Sequence, residues 1–184
     1  MSKREYNWDA IAAIIAALIG LLAIIVSGYT AWNVRQQTRA QVWPHLEIAW
    51  SDSRQSLLAL NPGVGPAIIR SVVVRVDGKP QPDWPHVLKA LGLAKDQINF
   101  QQSTLNGFVL SPGETYKFLV IPDRTQYEKF SSAAHKKMGQ QVCFCSTLDD
   151  CWQIITGARE DNIRHDGYSA GGCSPVAKGD EFHD

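Results

Sequence analysis

IAAIIAALIGLLAIIV, residues Ile11 to Val26, is apolar without interruption and has a tryptophan on either side, Trp8 and Trp32. About 20 such residues at 1.5 Å per residue match a hydrocarbon core of ~30 Å. Indole rings favour the headgroup level, where one edge stays wet. No polar face recurs at helical spacing, as an amphipathic helix on a soluble core would require. The stretch predicts a transmembrane helix over residues 8–32, after an N-terminal tail of residues 1–7. A cleaved secretory signal is the competing reading, since Lys3 and Arg4 give a positive start and Val26-Ser27-Gly28 resembles a processing site. The apolar run outlasts the ~7 to 15 residues usual for a signal core, which favours a retained anchor.

Working outward, Asn33 to Gln41 is polar and free of Gly and Pro. It extends the helix as a juxtamembrane stalk, residues 33–43, until Pro44 removes a backbone donor and disfavours helix at Trp43. The rest of the 184 residues is enough for one domain. Lys plus Arg and Asp plus Glu balance at 18 each, which removes any bulk electrostatic case for nucleic acid and leaves the lipid bilayer as the first expected partner. Lys3 and Arg4 before the span offset Arg35 and Arg39 after it, so the positive-inside rule gives a tie. The even, clustered cysteines lean towards an oxidising compartment and a periplasmic domain, with a cytoplasmic one as the alternative.

Beyond Pro44 the pattern is that of strands. His45 to Trp50 alternates, with Leu46, Ile48 and Trp50 on one face, and Ser56 to Leu60 follows. Asn61-Pro62-Gly63-Val64-Gly65-Pro66 can only be a stiff loop. Ala67 to Val76 predicts a central strand, with Ile69, Ser71, Val73 and Arg75 opposite Ile68, Arg70, Val72, Val74 and Val76, and Asp77-Gly78 turns the chain with glycine at positive φ. A short helix is expected from Asp83 to Leu93, stopped by Gly92, then strands at Phe108 to Leu110 and Thr115 to Ile121. A second helix capped by Asp123 or Thr125 runs to about Lys136, with Tyr127, Phe130, Ala134 and Met138 inward and Gly139 ending it. Gln141 to Ser146 and Cys151 to Thr156 form a hairpin, and residues 157–184 an irregular tail.

Seven or so short strands, two minor helices and no βαβ alternation predict a mainly β chain: the anchor, then an antiparallel immunoglobulin-like sandwich over residues 44–156. Trp43-Pro44-His45-Leu46, Asn61 through Ala67, Ser111-Pro112-Gly113-Glu114, and Cys145-Ser146 to Cys151-Trp152 resemble a group of small bacterial single-pass membrane proteins of uncharacterised function. The resemblance covers the chain to about Thr156. It implies an inner-membrane anchor with a β-rich domain and brings no catalytic residues.

Cys143, Cys145, Cys151 and Cys173 carry the candidate chemistry. Alternation puts Cys143 and Cys145 on one face of a strand, and the short connection brings Cys145 to Cys151. Disulfides Cys145–Cys151 and Cys143–Cys173 would close the hairpin and pin the tail. A four-thiolate zinc site lacks the paired C-x2-C knuckles, unpaired buried thiols are a third reading, and a redox pair lacks C-x-x-C at a helix start. The histidines His45, His86, His135, His165 and His183 are scattered, and Asp149-Asp150 is read as turn chemistry. No nucleophile elbow, zincin motif or P-loop occurs, and no cofactor is expected. In the span, Ala12, Ala16 and Gly20 recur every four residues and offer a homodimer face. The function expected is a non-enzymatic module presenting a surface to a membrane protein partner. The alternative is a cysteine-based metal or thiol-dependent sensor or enzyme.

Overall fold

The computed structural model describes residues 8–93, 98–157, 167–170, 172–177 and 179–183. The tail of residues 1–7, with Lys3 and Arg4, and His165 lie outside the described residues. Two compact units divide at Gln41.

The first unit is one helix, α1 (Trp8–Gln41), which takes in the expected span and the expected stalk as far as Gln41, with Val42 and Trp43 already outside it. At 1.5 Å per residue its 34 residues reach about 51 Å, more than a ~30 Å hydrocarbon core needs. None of its residues is buried, and Leu18, Ile19, Leu22 and Ile24 stand exposed along it. By length and composition it can cross a bilayer. Thr30 Oγ1 donates to Val26 O and Thr38 Oγ1 to Val34 O, so both hydroxyls are satisfied within the helix.

The second unit holds two antiparallel sheets packed together. The first has the order β1 (Glu47–Ser51), β2 (Ser56–Leu60), β7 (Thr115–Val120), β5 (Gln101–Gln102). The second has the order β10 (Gly167–Ala170), β9 (Cys151–Gly157), β8 (Met138–Cys145), β3 (Ala67–Val76), β4 (Lys79–Gln81), with β6 (Val109–Leu110) pairing the start of β3. Helices α2 (Trp84–Ala90) and α3 (Arg124–Lys137) are each capped by an aspartate: Asp83 accepts from the His86 N–H and Asp123 from the Gln126 N–H, both at 2.8 Å. Trp84 is the centre of the core, with Phe118, Phe130 and Phe182 around its ring at 5.2–6.4 Å.

The expected alternation along β3 breaks at one point. Its register with β8 shifts between Ile69 and Ser71, so a bulge puts Ala67 and Ile69 inward together with Val72, Val74 and Val76, and leaves Arg70 exposed to meet Asp149 at 3.3 Å. A bulge is invisible to a strict period of two. At the far end both Asp77 (φ 48°) and Gly78 (φ 78°) take positive φ, the geometry of a two-residue hairpin, and lead into β4, which the sequence reading lacked.

Gly139 does not stop α3. The helix ends at Lys137 and Met138 already belongs to β8, where Gly139 pairs with Arg75 and Gly157. The inward face of Tyr127, Phe130, Ala134 and Met138 is buried as expected. Tyr127 also donates its hydroxyl to Asp52 Oδ1 at 3.0 Å, tying α3 to the β1–β2 turn. Burial first, then that bond and the carboxylate charge, push the Tyr127 phenol well above its usual range.

Beyond Gly157 the chain is more regular than the sequence suggests. β10 extends the second sheet beside β9, and Phe182 enters the core, where its N–H donates to Val72 O at 2.9 Å.

Candidate functional site

One end of the domain collects the features that local folding leaves unexplained. The loop Asn61 to Pro66 closes around the first residues of the domain, Val42 to His45. Trp43 O accepts from both Val64 N–H and Gly65 N–H at 3.1 Å. Asn61, fully buried, organises the rest. Its Oδ1 accepts from His45 N–H and Gly63 N–H, each at 3.2 Å, and its Nδ2 donates to Gly65 O at 2.8 Å and Leu110 O at 3.0 Å. Its backbone N–H donates to Glu114 O and its carbonyl accepts from Gly113 N–H. The two glycines are there for close approach: a Cβ on Gly63 would strike His45 N, and one on Gly65 would strike the Val42 carbonyl. The motif that reads as punctuation is therefore a clamp on the chain where it joins the domain.

The same end carries exposed apolar side chains. Within the domain the large hydrophobic residues left exposed, among those described, are Trp43, Val64, Val109 and Leu148. The pairing places them at the same end of the second sheet. Trp43 is bonded to Val64, and Val109 lies opposite Ile68. Ile68 in turn pairs with Cys145, which precedes the turn bearing Leu148. Arg70 and Asp149 add a charged pair beside them.

The cysteines line the outward side of the second sheet at this end. Cys145 stands directly opposite Cys151, with Cα atoms 4.0 Å apart. Ser146 N–H donates to Asp150 O, so the next pair inward is the non-hydrogen-bonded kind, in which side chains approach most closely. Cys145–Cys151 and Cys143–Cys173 are both disulfides, the pairing weighed first from the sequence. No free cysteine remains. A sulfur engaged in a disulfide is neither a thiolate ligand nor a thiol, so the zinc and free-thiol readings of Cys143, Cys145, Cys151 and Cys173 apply only to a form in which these bonds are reduced. The bridge to Cys173 brings the tail across the outward face, where Ser174 N–H donates to Gln153 Oε1 at 2.9 Å. That contact accounts for a glutamine buried on the outer side of a sheet.

Other residues singled out in the sequence do not converge. Ala12, Ala16 and Gly20 lie on α1 with nothing packed against them; a Cβ on Gly20 would meet open space. His86 pairs with its cap Asp83 at 2.6 Å, His135 packs on Trp50 at 4.4 Å and His45 meets Glu47 at 3.2 Å, three separate places. Asp149 sits in the β8–β9 turn at positive φ. Sequence reasoning missed Asn61 as an organiser, although an asparagine before Pro-Gly is a known turn signal, and missed Phe182, whose apolar side chain in a polar tail was the available clue. Comparison with protein families, with curated proteins and with solved structures yields no match for this chain.

Proposed function

We propose that the chain is a membrane-tethered, non-enzymatic β-sandwich module that docks a protein partner through the end bearing Trp43, Val64, Val109 and Leu148. The carrying observation is that these exposed apolar side chains lie at one end of a domain whose other large hydrophobic residues, among those described, are buried or half-buried. Exposed apolar clusters with a polar rim are typical of interaction sites. Chain order adds support: the cluster begins at Trp43, two residues after α1. A membrane protein, or a second copy, is the partner such a position favours.

The strand orders β1-β2-β7-β5 and β9-β8-β3-β4 support reading the two sheets as an immunoglobulin-like sandwich, with α3 inserted in the crossover between them. Two disulfides support an oxidising compartment and hence a periplasmic domain. The resemblance of the turn motifs favours the bacterial inner membrane as the bilayer. Ig-like sandwiches host many binding modules.

Photo-crosslinking in native membranes tests the docking surface. A photoreactive residue at Val64 or Leu148 is expected to give one shared protein adduct, and one at Lys79, across the domain on β4, to give none. Leu148→Glu should abolish the Val64 adduct without lowering the unfolding midpoint. Equal labelling from Lys79, or no adduct from either apolar position, refutes the reading.

A further inference from the structure

The second sheet has a gap in one edge, and the chain itself fills it. β8 runs along one side of β3 from Ile68 to Val76. On the other side β6 pairs with Ala67 and Ile68, and β4 with Val74 to Val76. Arg70 to Val73 therefore have no partner strand on that side among the described residues. Residues 181–183 cross the gap. Phe182 N–H donates to Val72 O at 2.9 Å, and His183 N–H to Pro82 O, just past β4, at 2.7 Å. Glu181 Oε1 accepts from Asn106 Nδ2, shortly before β6, at 2.9 Å. The Phe182 ring is 2% exposed and lies edge-on to Trp84.

We propose that this gap is a peptide-binding groove, held closed by Glu181-Phe182-His183 and opened by a partner segment of the same chemistry, an acidic residue followed by an aromatic one. Peptides that add to a sheet edge take affinity from backbone bonds and specificity from side-chain pockets. Each part has its counterpart here. Val72 O and Pro82 O accept the backbone amides, Asn106 selects the acidic side chain, and the space beside Trp84 receives the ring.

The present occupant is held as a ligand is held. Residues 172–177 have no regular secondary structure, and residues 181–183 attach by one ring, two backbone bonds and one side-chain bond. Upstream, the Cys143–Cys173 disulfide keeps the segment beside the sheet. A short tether gives an effective concentration of about millimolar, so the groove is closed until a competitor arrives, and that competitor's apparent affinity is lowered by the fraction of time the groove stands open. The groove is a second surface: Val72, Pro82, Trp84 and Asn106 are all outside the exposed apolar set of Trp43, Val64, Val109 and Leu148.

The test uses the full-length protein in detergent and a fluorescein-labelled peptide of residues 177–184, with binding followed by fluorescence anisotropy. The wild type is expected to bind it weakly and Phe182→Ala about 100-fold more tightly, because the competing ring is gone. The same peptide carrying Phe182→Ala should bind neither protein. Adding Asn106→Leu to the Phe182→Ala protein should weaken binding about tenfold, by loss of one hydrogen bond to a charged group. Equal binding by wild type and Phe182→Ala, or equal binding of the two peptides, overturns the proposal. If Phe182→Ala loses its near-UV circular dichroism, a second variant decides: a site-specific protease sequence inserted after Ala177 in the otherwise native chain, cut once the protein has folded. The cut segment is expected to exchange for the labelled peptide. Its retention against a large excess of that peptide, or equal exchange for the Phe182→Ala peptide, overturns the proposal.

Discussion

Replacing Asn61 by alanine tests the clamp directly. The side chain is fully buried and makes four hydrogen bonds, accepting from His45 and Gly63 and donating to the carbonyls of Gly65 and Leu110. Each contributes about 1 kcal/mol net, and a partner left unsatisfied out of reach of water costs about 1–3 kcal/mol. Water can reach the His45 and Gly63 amides, which are only part-buried, so their loss falls at the low end of that range. Together the loss is about 4 kcal/mol, a large fraction of the ~5–15 kcal/mol by which domains are stable. At roughly 2–4 °C per kcal/mol for a chain of this size, the thermal midpoint should fall by about 8–16 °C. Near-UV circular dichroism of the full-length protein in detergent reads the transition. Asn61→Asp should not rescue: it keeps an acceptor for His45 and Gly63 but turns a carboxylate oxygen towards two carbonyls. A midpoint shift under about 2 °C for Asn61→Ala, or a wild-type midpoint for Asn61→Asp, would refute the account of the loop as a hydrogen-bonded clamp.

Gly65→Ala should destabilise the domain by at least about 1–3 kcal/mol in urea unfolding, because the new methyl group meets the Val42 backbone rather than a side chain that can turn away. Phe182→Ala should cost about 3–5 kcal/mol and alter the tryptophan near-UV signal, since the ring lies edge-on at 5.2 Å from Trp84; a neutral result would mean that the tail is not part of the core. Tyr127 predicts a loss of stability in alkali. Its phenol ionises less readily folded than unfolded, so the contribution is complete below the unfolded value of ~10 and declines as pH rises past it. Tyr127→Phe should flatten that part of the stability–pH curve, and an unchanged slope counts against the assignment.

Strand positions were legible wherever punctuation was strong. Ser56–Leu60 and Ala67–Val76 are bounded by turn residues and keep their predicted limits. The cap at Asp123, one of two expected, follows from a local rule, a side-chain oxygen within reach of an amide three residues on; the same rule holds at Asp83, which was not named as a cap from the sequence. The cysteine pairing was legible in part for the same reason, because a six-residue separation across a hairpin leaves Cys145 and Cys151 little choice. The bulge at Arg70, the direct passage from α3 to β8 and the strand β10 were not legible. Each depends on a partner distant in the chain: Arg70 meets Asp149, Gly139 finds Arg75 and Gly157, and β10 finds β9.

By itself the sequence determined an apolar helix long enough for a bilayer, because hydrophobic length is a local property, and a β-rich domain after it, because period and turn residues are local as well. Only the tertiary structure decided that Asn61 grips the chain at His45, that four exposed apolar side chains lie at one end of the second sheet, and that three sulfurs lie together on one side of β8. These are meetings of residues far apart in the chain, fixed by sheet register and core packing, which no local pattern encodes.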